Sequence, residues 1–423
     1  MLRATDMTRG RIEVPDDLAA VTTRRAIDEA VLREAGLTRA ACDSIWRGVE
    51  RLYRTGVHPA IGLCVRRRGH VVLDRAIGHA RGHGPDRPAS PDAVLATPDT
   101  PFGLFSASKA VTAIVVHRLA ERGALRLGDR VAEHLPGFER HGKGAITISH
   151  LLTHRAGVPR VPGSLEDPEI LLDPDECVAR LCDARPAHAP GRTLAYHALA
   201  GGYLLGAIVK RVTGRTVHEV LRAELLDPLG FDLMGYGVPR AREADVAVNW
   251  VTGRPMPLPV AYLTRRALGL TWEQATRLSN DPRFFRRVIP SANVIGTPNE
   301  AGRFFELLLR GGVLDGTRVL EARTIARALR PTAYLEPDRV LVWPVRYGEG
   351  LMLGAPRVSP FGPGLAQAFG HIGFMNVLCY ADPERDISVA LMTTGKVLFD
   401  THLPALVGVL GRIARRCAPC PRR

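Results

Sequence analysis

The chain has 423 residues, 46% of them hydrophobic and 24% charged, with 42 Gly and 32 Pro spread along it. This is the composition of an ordinary globular protein with a sizeable core, and it excludes collagen, wholesale disorder and a small disulfide scaffold. The 57 Lys and Arg against 43 Asp and Glu leave a formal charge of +14, which raises nucleic acid or an acidic lipid surface as a partner.

Residues 1–30 are charged and weakly periodic, and read as a loosely attached N-terminal extension. The start, MLRATDMTRGRIEVPDD, has no apolar signal core, and no stretch approaches the roughly 20 apolar residues of a bilayer span. A cytoplasmic protein is therefore expected. A helix follows from about Thr38 to Thr55, where Ala41, Ile45, Val49 and Leu52 recur at helical spacing. AIGLCVRRRGHVVLDRAIG then reads as a hairpin turning at Arg68-Gly69, and Gly82 to Pro101 as a loop.

Ser106 to Gly123 is a strong helical pattern, with Ala110, Ile114, Val115 and Leu119 on one face and Gly123 as its stop. SHLLTHRAG from Ser149, an Ala/Leu-rich helix from about His197 to Thr213, and another from Val217 to Leu229 continue a helical region. Residues 238–290 mix Pro, Trp250, Trp272 and Arg without clear period, and are expected to form a cap facing the substrate. After a helix from Asn299 to Gly311, the runs Gly373 to Tyr380 and Asp386 to Thr393 read as paired strands, and Leu403 to Arg415 as a closing helix. Strands at both ends must then meet in one antiparallel sheet interrupted by a helical insertion. The expected catalytic domain is 31–416, its α/β lobe built from 31–100 plus 300–416 and its helical lobe from 101–299, with 417–423 as a tail.

Four of the 57 basic residues are Lys and the other 53 Arg, scattered along the chain; the one tight cluster is Arg66, Arg67 and Arg68. This favours a solvated Arg-rich surface over a nucleic-acid footprint, while peripheral contact with anionic lipid stays open. The seven Cys are odd in number and follow no framework, so reduced thiols fit. Cys417-Ala-Pro-Cys420 stands without a second pair and reads as a frayed tail. His150 and His154 have i, i+4 spacing but lack the Glu of H-E-x-x-H, so no metal is expected.

The chemistry centres on Ser106-Ala-Ser-Lys109, opening a helix. On a helix, residues i and i+3 share a face, so the Ser106 hydroxyl and the Lys109 amine can meet. Unpaired N–H groups at the helix start favour developing negative charge, and a buried Lys can act as a proton acceptor. A chain so poor in Lys is expected to contain on the order of 0.1 such matches by chance. The tetrapeptide alone fits equally an N-cap Ser with a surface Lys one turn on.

The block PFGLFSASKAVTAIVVHRLAERGALRLGDRVAEHLPGF with ITISHLLTHRAGV, then PGRTLAYHALAGGYLLGAIVKRVTG and FGHIGFMNVLCYADPERDISVALMT, resembles serine β-lactamase-fold enzymes, especially class C β-lactamases and the related family VIII carboxylesterases. The resemblance runs from about residue 37 to 395. It implies an α/β (α+β) fold of the penicillin-binding-protein transpeptidase type, with an antiparallel sheet flanked by helices and a mainly helical insertion lobe. It further implies Ser106 as acylated nucleophile, Lys109 as its partner, and Tyr196 as the phenol that shuttles the proton, with a Lys109 cation stabilising phenolate. His371-Ile372-Gly373 stands where the family has Lys-Thr-Gly. There Gly373 lets the strand approach the substrate, the Phe374 N–H joins that of Ser106 as an oxyanion donor, and His371 is placed to touch substrate or Tyr196. Ser291 and Asn293 fall in a stretch that borders the acyl pocket in relatives, where the Asn293 amide could meet substrate, although an ordinary polar turn is the favoured reading.

Two departures bear on substrate. Tyr-x-Asn reads Tyr196-His197-Ala198, and Lys-Thr-Gly has lost both cation and hydroxyl, the groups that engage a β-lactam. The expectation is a cofactor-free serine hydrolase acting on small carboxylic esters. D-aminopeptidase or amidase, acyltransferase and weak β-lactamase activity are the alternatives on the same site, and a catalytically inactive binding protein is the non-enzymatic one. Oligomeric state is left open.

Overall fold

The computed structural model describes residues 10–342, 344–357 and 359–420. Its main sheet is antiparallel throughout. From one edge the strands are Thr22–Arg24, His70–Arg81, Ala60–Arg67, Ile387–Thr393, Val377–Asp382, Phe369–Gly373, Met352–Leu353, Pro344–Tyr347 and Ala333–Pro337, with Val94–Leu95 added beside His70–Arg81. The hairpin turns at Arg68 (φ +52°) and Gly69 (φ +89°), two successive left-handed residues whose twist suits adjoining strands. Its first strand pairs with a distant one, Ile61 opposite Thr393 and Arg67 opposite Ile387. That pairing joins the two ends of the sequence, and the helical region between them hangs off as a lobe.

The sheet is covered on both faces, so its strands are nearly continuous apolar runs. Side chains alternate across it. Ile61, Leu63, Val65, Val389 and Leu391 meet Ile45, Val49 and Leu52 of helix Arg39–Tyr53 and Leu406, Val409 and Ile413 of helix His402–Arg416. On the other face small residues, Ala76, Cys379 and Ala390, let helix Pro298–Leu309 approach through Ala301, Phe304 and Phe305. The nucleophile helix, Ser108–Glu121, belongs to this second core, which continues into the helical lobe.

Several expectations need correction. Within the described part of the N-terminal extension, Ile12, Leu18 and Val21 are buried and Thr22–Arg24 is an edge strand, so that part is packed down; residues 1–9 lie outside the described residues. Gly373 ends one strand instead of opening the next, and Val377–Asp382 begins after a turn. The cap region holds helices Leu258–Leu268, Trp272–Leu278 and Pro282–Arg286. The tail is anchored as far as Cys420. Cys417 is fully buried, the Cys420 N–H donates to the Glu384 carbonyl at 2.7 Å, and Arg67 donates to the Ala418 carbonyl at 2.9 Å. Residues 421–423 lie outside the described residues. All seven cysteines are free thiols.

Two of the three arginines of the Arg66–Arg68 cluster are buried and used internally, while Arg68 is exposed at the hairpin turn. Arg66 pairs with buried Glu306 at 2.5 Å, Arg67 holds the tail, and Arg68 makes the turn. Arginines distant in sequence do gather in space. Arg47 and Arg51 on one helix and Arg412, Arg415 and Arg416 on the facing one have no carboxylate partner among the described residues. Desolvation, and then the charges of Arg51, Arg415, Arg47 and Arg416, push the Arg412 pKa down.

Candidate active site

The segment leading to Ser106 is held at both ends. Strand Phe102–Gly103 pairs with Val294–Gly296, and the Leu104 N–H donates to the Val294 carbonyl at 2.8 Å. Phe105 then takes φ +49°, a left-handed conformation costly for a bulky residue, and sharply turns the chain into the 3-10 segment Phe105–Ala107. Helix Ser108–Glu121 continues from it, its start fixed by the Val294 N–H donating to Ser108 Oγ at 3.0 Å.

Lys109 is buried one turn beyond Ser106. Its Nζ lies 3.1 Å from Ser106 Oγ and donates to the Ser291 carbonyl at 3.1 Å. It also sits 4.9 Å from the centre of the Tyr196 ring. With no carboxylate to compensate, burial drives the Lys109 pKa well below the lysine range. Burial likewise raises the Tyr196 pKa, and the Ser106 hydroxyl, hydrogen-bonded to the phenol, offsets only part of that rise. Burial thus favours the uncharged form of both groups. It therefore opposes the ammonium–phenolate pair that the resemblance implies, which must form against the cost of taking both charges out of water.

Tyr196 lies on irregular chain before helix Ala200–Thr213 and is clamped through its backbone. The His154 carbonyl accepts from Ala195 N–H at 3.0 Å, and His154 Nδ1 accepts from His197 N–H at 3.2 Å. Asp338 Oδ1 accepts from the N–H groups of Tyr196, Val340 and Leu341 at 3.1, 2.8 and 3.0 Å. The His154 and Tyr196 ring centres are 4.7 Å apart. His154 thus helps to seat the phenol through the chain, and neither it nor Asp338 is expected from the sequence as part of this site.

Gly373 is required by the packing of the strand itself. A Cβ there would fall 2.1 Å from the Leu104 carbonyl oxygen, so glycine lets the strand lie against the nucleophile turn. Beyond it Phe374 (φ +43°) and Met375 (φ +69°) are both left-handed. The Phe374 ring stacks on Phe105, 5.2 Å between centres, and on Trp272, 4.1 Å between centres. The two turns carrying the expected oxyanion donors, the Ser106 and Phe374 N–H groups, are joined by this aromatic column. Buried Lys396 closes its far end, with Nζ 4.2 Å from the Phe105 ring centre.

His371 is buried, with Nδ1 2.7 Å from the Ile372 carbonyl and its ring centre 6.3 Å from that of Tyr196. Desolvation, then the proximity of Lys109, lowers its pKa to about 3; His197 falls to about 3 chiefly by burial. His371 is a neutral ring at the position that the resemblance aligns with the lysine of Lys-Thr-Gly. Asn293 follows the turn reading and not that of a substrate contact. Its Oδ1 accepts from Ile289 N–H at 2.8 Å, and its Nδ2 donates to the Phe284 and Arg287 carbonyls at 2.8 and 2.7 Å, so the amide braces its own loop. Ser291 borders the site through its carbonyl to Lys109, while its hydroxyl donates to the Leu199 carbonyl at 3.3 Å.

A cavity of about 610 Å³, counting its open mouth, adjoins Ser106. Leu171, Leu172, Leu199, Leu268, Leu270, Ala275, Leu278, Phe284 and Ile289 line it, with Phe374 beside the nucleophile. Its polar lining groups beyond Ser106 are already satisfied: the Tyr203 hydroxyl donates to the Leu171 carbonyl at 2.6 Å, and Ser279 donates to the Thr276 carbonyl at 2.7 Å. Among the described residues, no charged side chain lines it.

A family model described as Beta-lactamase matches residues 49–408. The chain is 29% identical over 333 residues to "Esterase/beta-lactamase LipL" of Mycobacterium tuberculosis, covering 76% of each chain. It is 31% identical over 339 residues to "Penicillin-binding protein 4" of Amycolatopsis lactamdurans, covering 76% of this chain and 79% of that one. Among solved structures, a penicillin-binding protein homologue from Caulobacter crescentus superposes with a TM-score of 0.74 at 29% identity, over 89% of this chain and 97% of the other.

Proposed function

The chain belongs to the beta-lactamase family and is a serine hydrolase, and from that premise we propose that it cleaves carboxylic esters with an apolar, uncharged acyl chain through an acyl-enzyme on Ser106. The observation that carries this reading is the cavity beside Ser106, apolar and free of charged lining side chains. A β-lactam carboxylate has no cation at position 371, where His371 is neutral, and its side-chain amide has no Asn at 198. An acyl chain needs neither group and gains by leaving water. The name of the Mycobacterium tuberculosis relative, which joins esterase and β-lactamase, is consistent with this choice.

In the proposed reaction the neutral Lys109 amine accepts the Ser106 proton as Oγ bonds to the ester carbonyl carbon. The carbonyl oxygen becomes an oxyanion facing the N–H groups of Ser106 and Phe374. Collapse breaks the bond to the alcohol oxygen, which leaves with a proton delivered through Tyr196, and Lys109 ends neutral. Water then repeats the sequence on the acyl-enzyme, releasing the acid and restoring Ser106.

Ser106→Ala is expected to abolish both p-nitrophenyl ester turnover and covalent labelling by a fluorophosphonate probe. Retention of both removes Ser106 from the reaction. In the wild type, nitrocefin opening faster than hydrolysis of any ester in an acyl-length series would overturn the ester assignment.

A further inference from the structure

Between Asp245 and Glu273 the chain has no acidic residue, and its charged side chains there are Arg254, Arg265 and Arg266. Helix Leu258–Leu268, within this stretch, buries none of its residues. Leu258 is 86% exposed, Tyr262 58% and Leu263 48%. Leu258 and Tyr262, four residues apart, share a helix face. Large apolar side chains grouped this way on a surface mark a face that something covers.

The position of the helix ties it to the site. Leu268 at its end and Leu270 just beyond it line the apolar cavity beside Ser106. At the start of the same stretch the Arg254 N–H donates to Asp400 Oδ2 at 2.9 Å, next to Phe399, which is 59% exposed. Met375, 44% exposed, follows Phe374 in a turn tied to the same region by Asn376 Nδ2 donating to the Val397 carbonyl at 2.6 Å.

The charges indicate what covers the face. Arg266 lies 5.7 Å from the Tyr262 ring centre and donates to its hydroxyl, and Arg265 donates to the Leu165 carbonyl. Neither Arg265 nor Arg266 has a carboxylate partner among the described residues, while Arg254 meets Asp400 through its backbone N–H. Apolar side chains beside uncompensated arginines on one surface helix are the pattern of an element that lies in a membrane interface. A second copy of the chain fits poorly, because a two-fold interface on this face would set its like charges against themselves.

We propose that helix Leu258–Leu268 docks on an anionic lipid bilayer and brings the mouth of the acyl cavity to that surface. Docking does not rest on the ester reading, because it is measured without turnover. The full chain is tested by co-sedimentation with vesicles of mixed phosphatidylglycerol and phosphatidylcholine, against phosphatidylcholine alone. Binding to the anionic vesicles is expected, weakened about thirtyfold by Arg265→Glu with Arg266→Glu and at least about tenfold by Leu258→Ser with Tyr262→Ser. Turnover of a short soluble ester and the melting temperature are expected to stay close to wild type in both variants, since all four residues are surface groups. No binding by the wild type, equal binding to phosphatidylcholine alone, or unchanged binding by both variants overturns the proposal. A concentration-dependent dimer lost in the Leu258→Ser, Tyr262→Ser variant would assign the face to a second copy instead. Vesicle binding without ester turnover would leave docking standing and remove only the ester reading.

Discussion

Lys109 meets the Ser106 hydroxyl, a backbone carbonyl and an aromatic ring in its pocket, and no carboxylate. In that setting the proton-free amine is favoured, and it is the form that can take a proton from Ser106. The sign follows directly: a base whose pKa is lowered is competent above that pKa and is lost as pH falls through it. The acid limb of the kcat/KM profile should therefore lie well below the ordinary lysine value. His197 and His371, with pKa values near 3, stay uncharged across that range and add no limb of their own. A profile still rising toward pH 10 would mean that Lys109 rests as an ammonium. Ser106 and Lys109 were legible in the sequence because one helical turn fixes their relation. Asn293 stayed open between turn and substrate contact because a short motif does not say which way an amide points. Asp338 and His154 were missed as parts of the site because both act on Tyr196 through the backbone of a distant loop, and a residue type alone does not reveal such a bond.

Helix Trp272–Leu278 joins two roles in one short element. Trp272 stacks on Phe374 and its Nε1 donates to the Lys396 carbonyl at 3.0 Å, while Ala275 and Leu278 line the acyl cavity. Filling the cavity from this helix should then alter chain-length preference and leave the nucleophile alone. Ala275→Phe is expected to lower kcat/KM for octanoyl esters by about tenfold or more while acetyl ester turnover stays within a few fold. Equal losses on both esters would show that the acyl chain lies elsewhere. The sequence reading placed a cap here but not its helices, because helix Leu258–Leu268 buries no apolar face and so leaves no clean period to read. Strand Phe369–Gly373 was reached through the resemblance and not through its pattern, because its Gly and His dilute the apolar alternation that marks strands.

At the scale of the whole molecule, +14 charges are unevenly spread, and Arg47, Arg51, Arg412, Arg415 and Arg416 share one surface without carboxylate partners among the described residues. Added salt screens repulsion between exposed like charges. The melting temperature is expected to rise by about 2–4 °C between low salt and roughly 0.5 M sodium chloride, and Arg412→Gln should reduce that rise. A flat response in the wild type would mean that the five charges are already neutralised. Overall topology was legible in the sequence because two apolar strand runs at opposite ends of the chain can be buried only together. The Arg cluster was not, since its members lie on two helices from opposite ends of the chain.

Pairing of Ala60–Arg67 with Ile387–Thr393 also sets a timetable for biosynthesis. At about 5–20 residues per second, the ribosome releases the first strand some 15–60 s before its neighbour exists. Throughout that interval the nascent hairpin exposes an unpaired edge, an invitation to chaperones and to aggregation alike. The same delay withholds Phe374, so a polypeptide abandoned midway through translation carries its serine but no finished catalytic cleft.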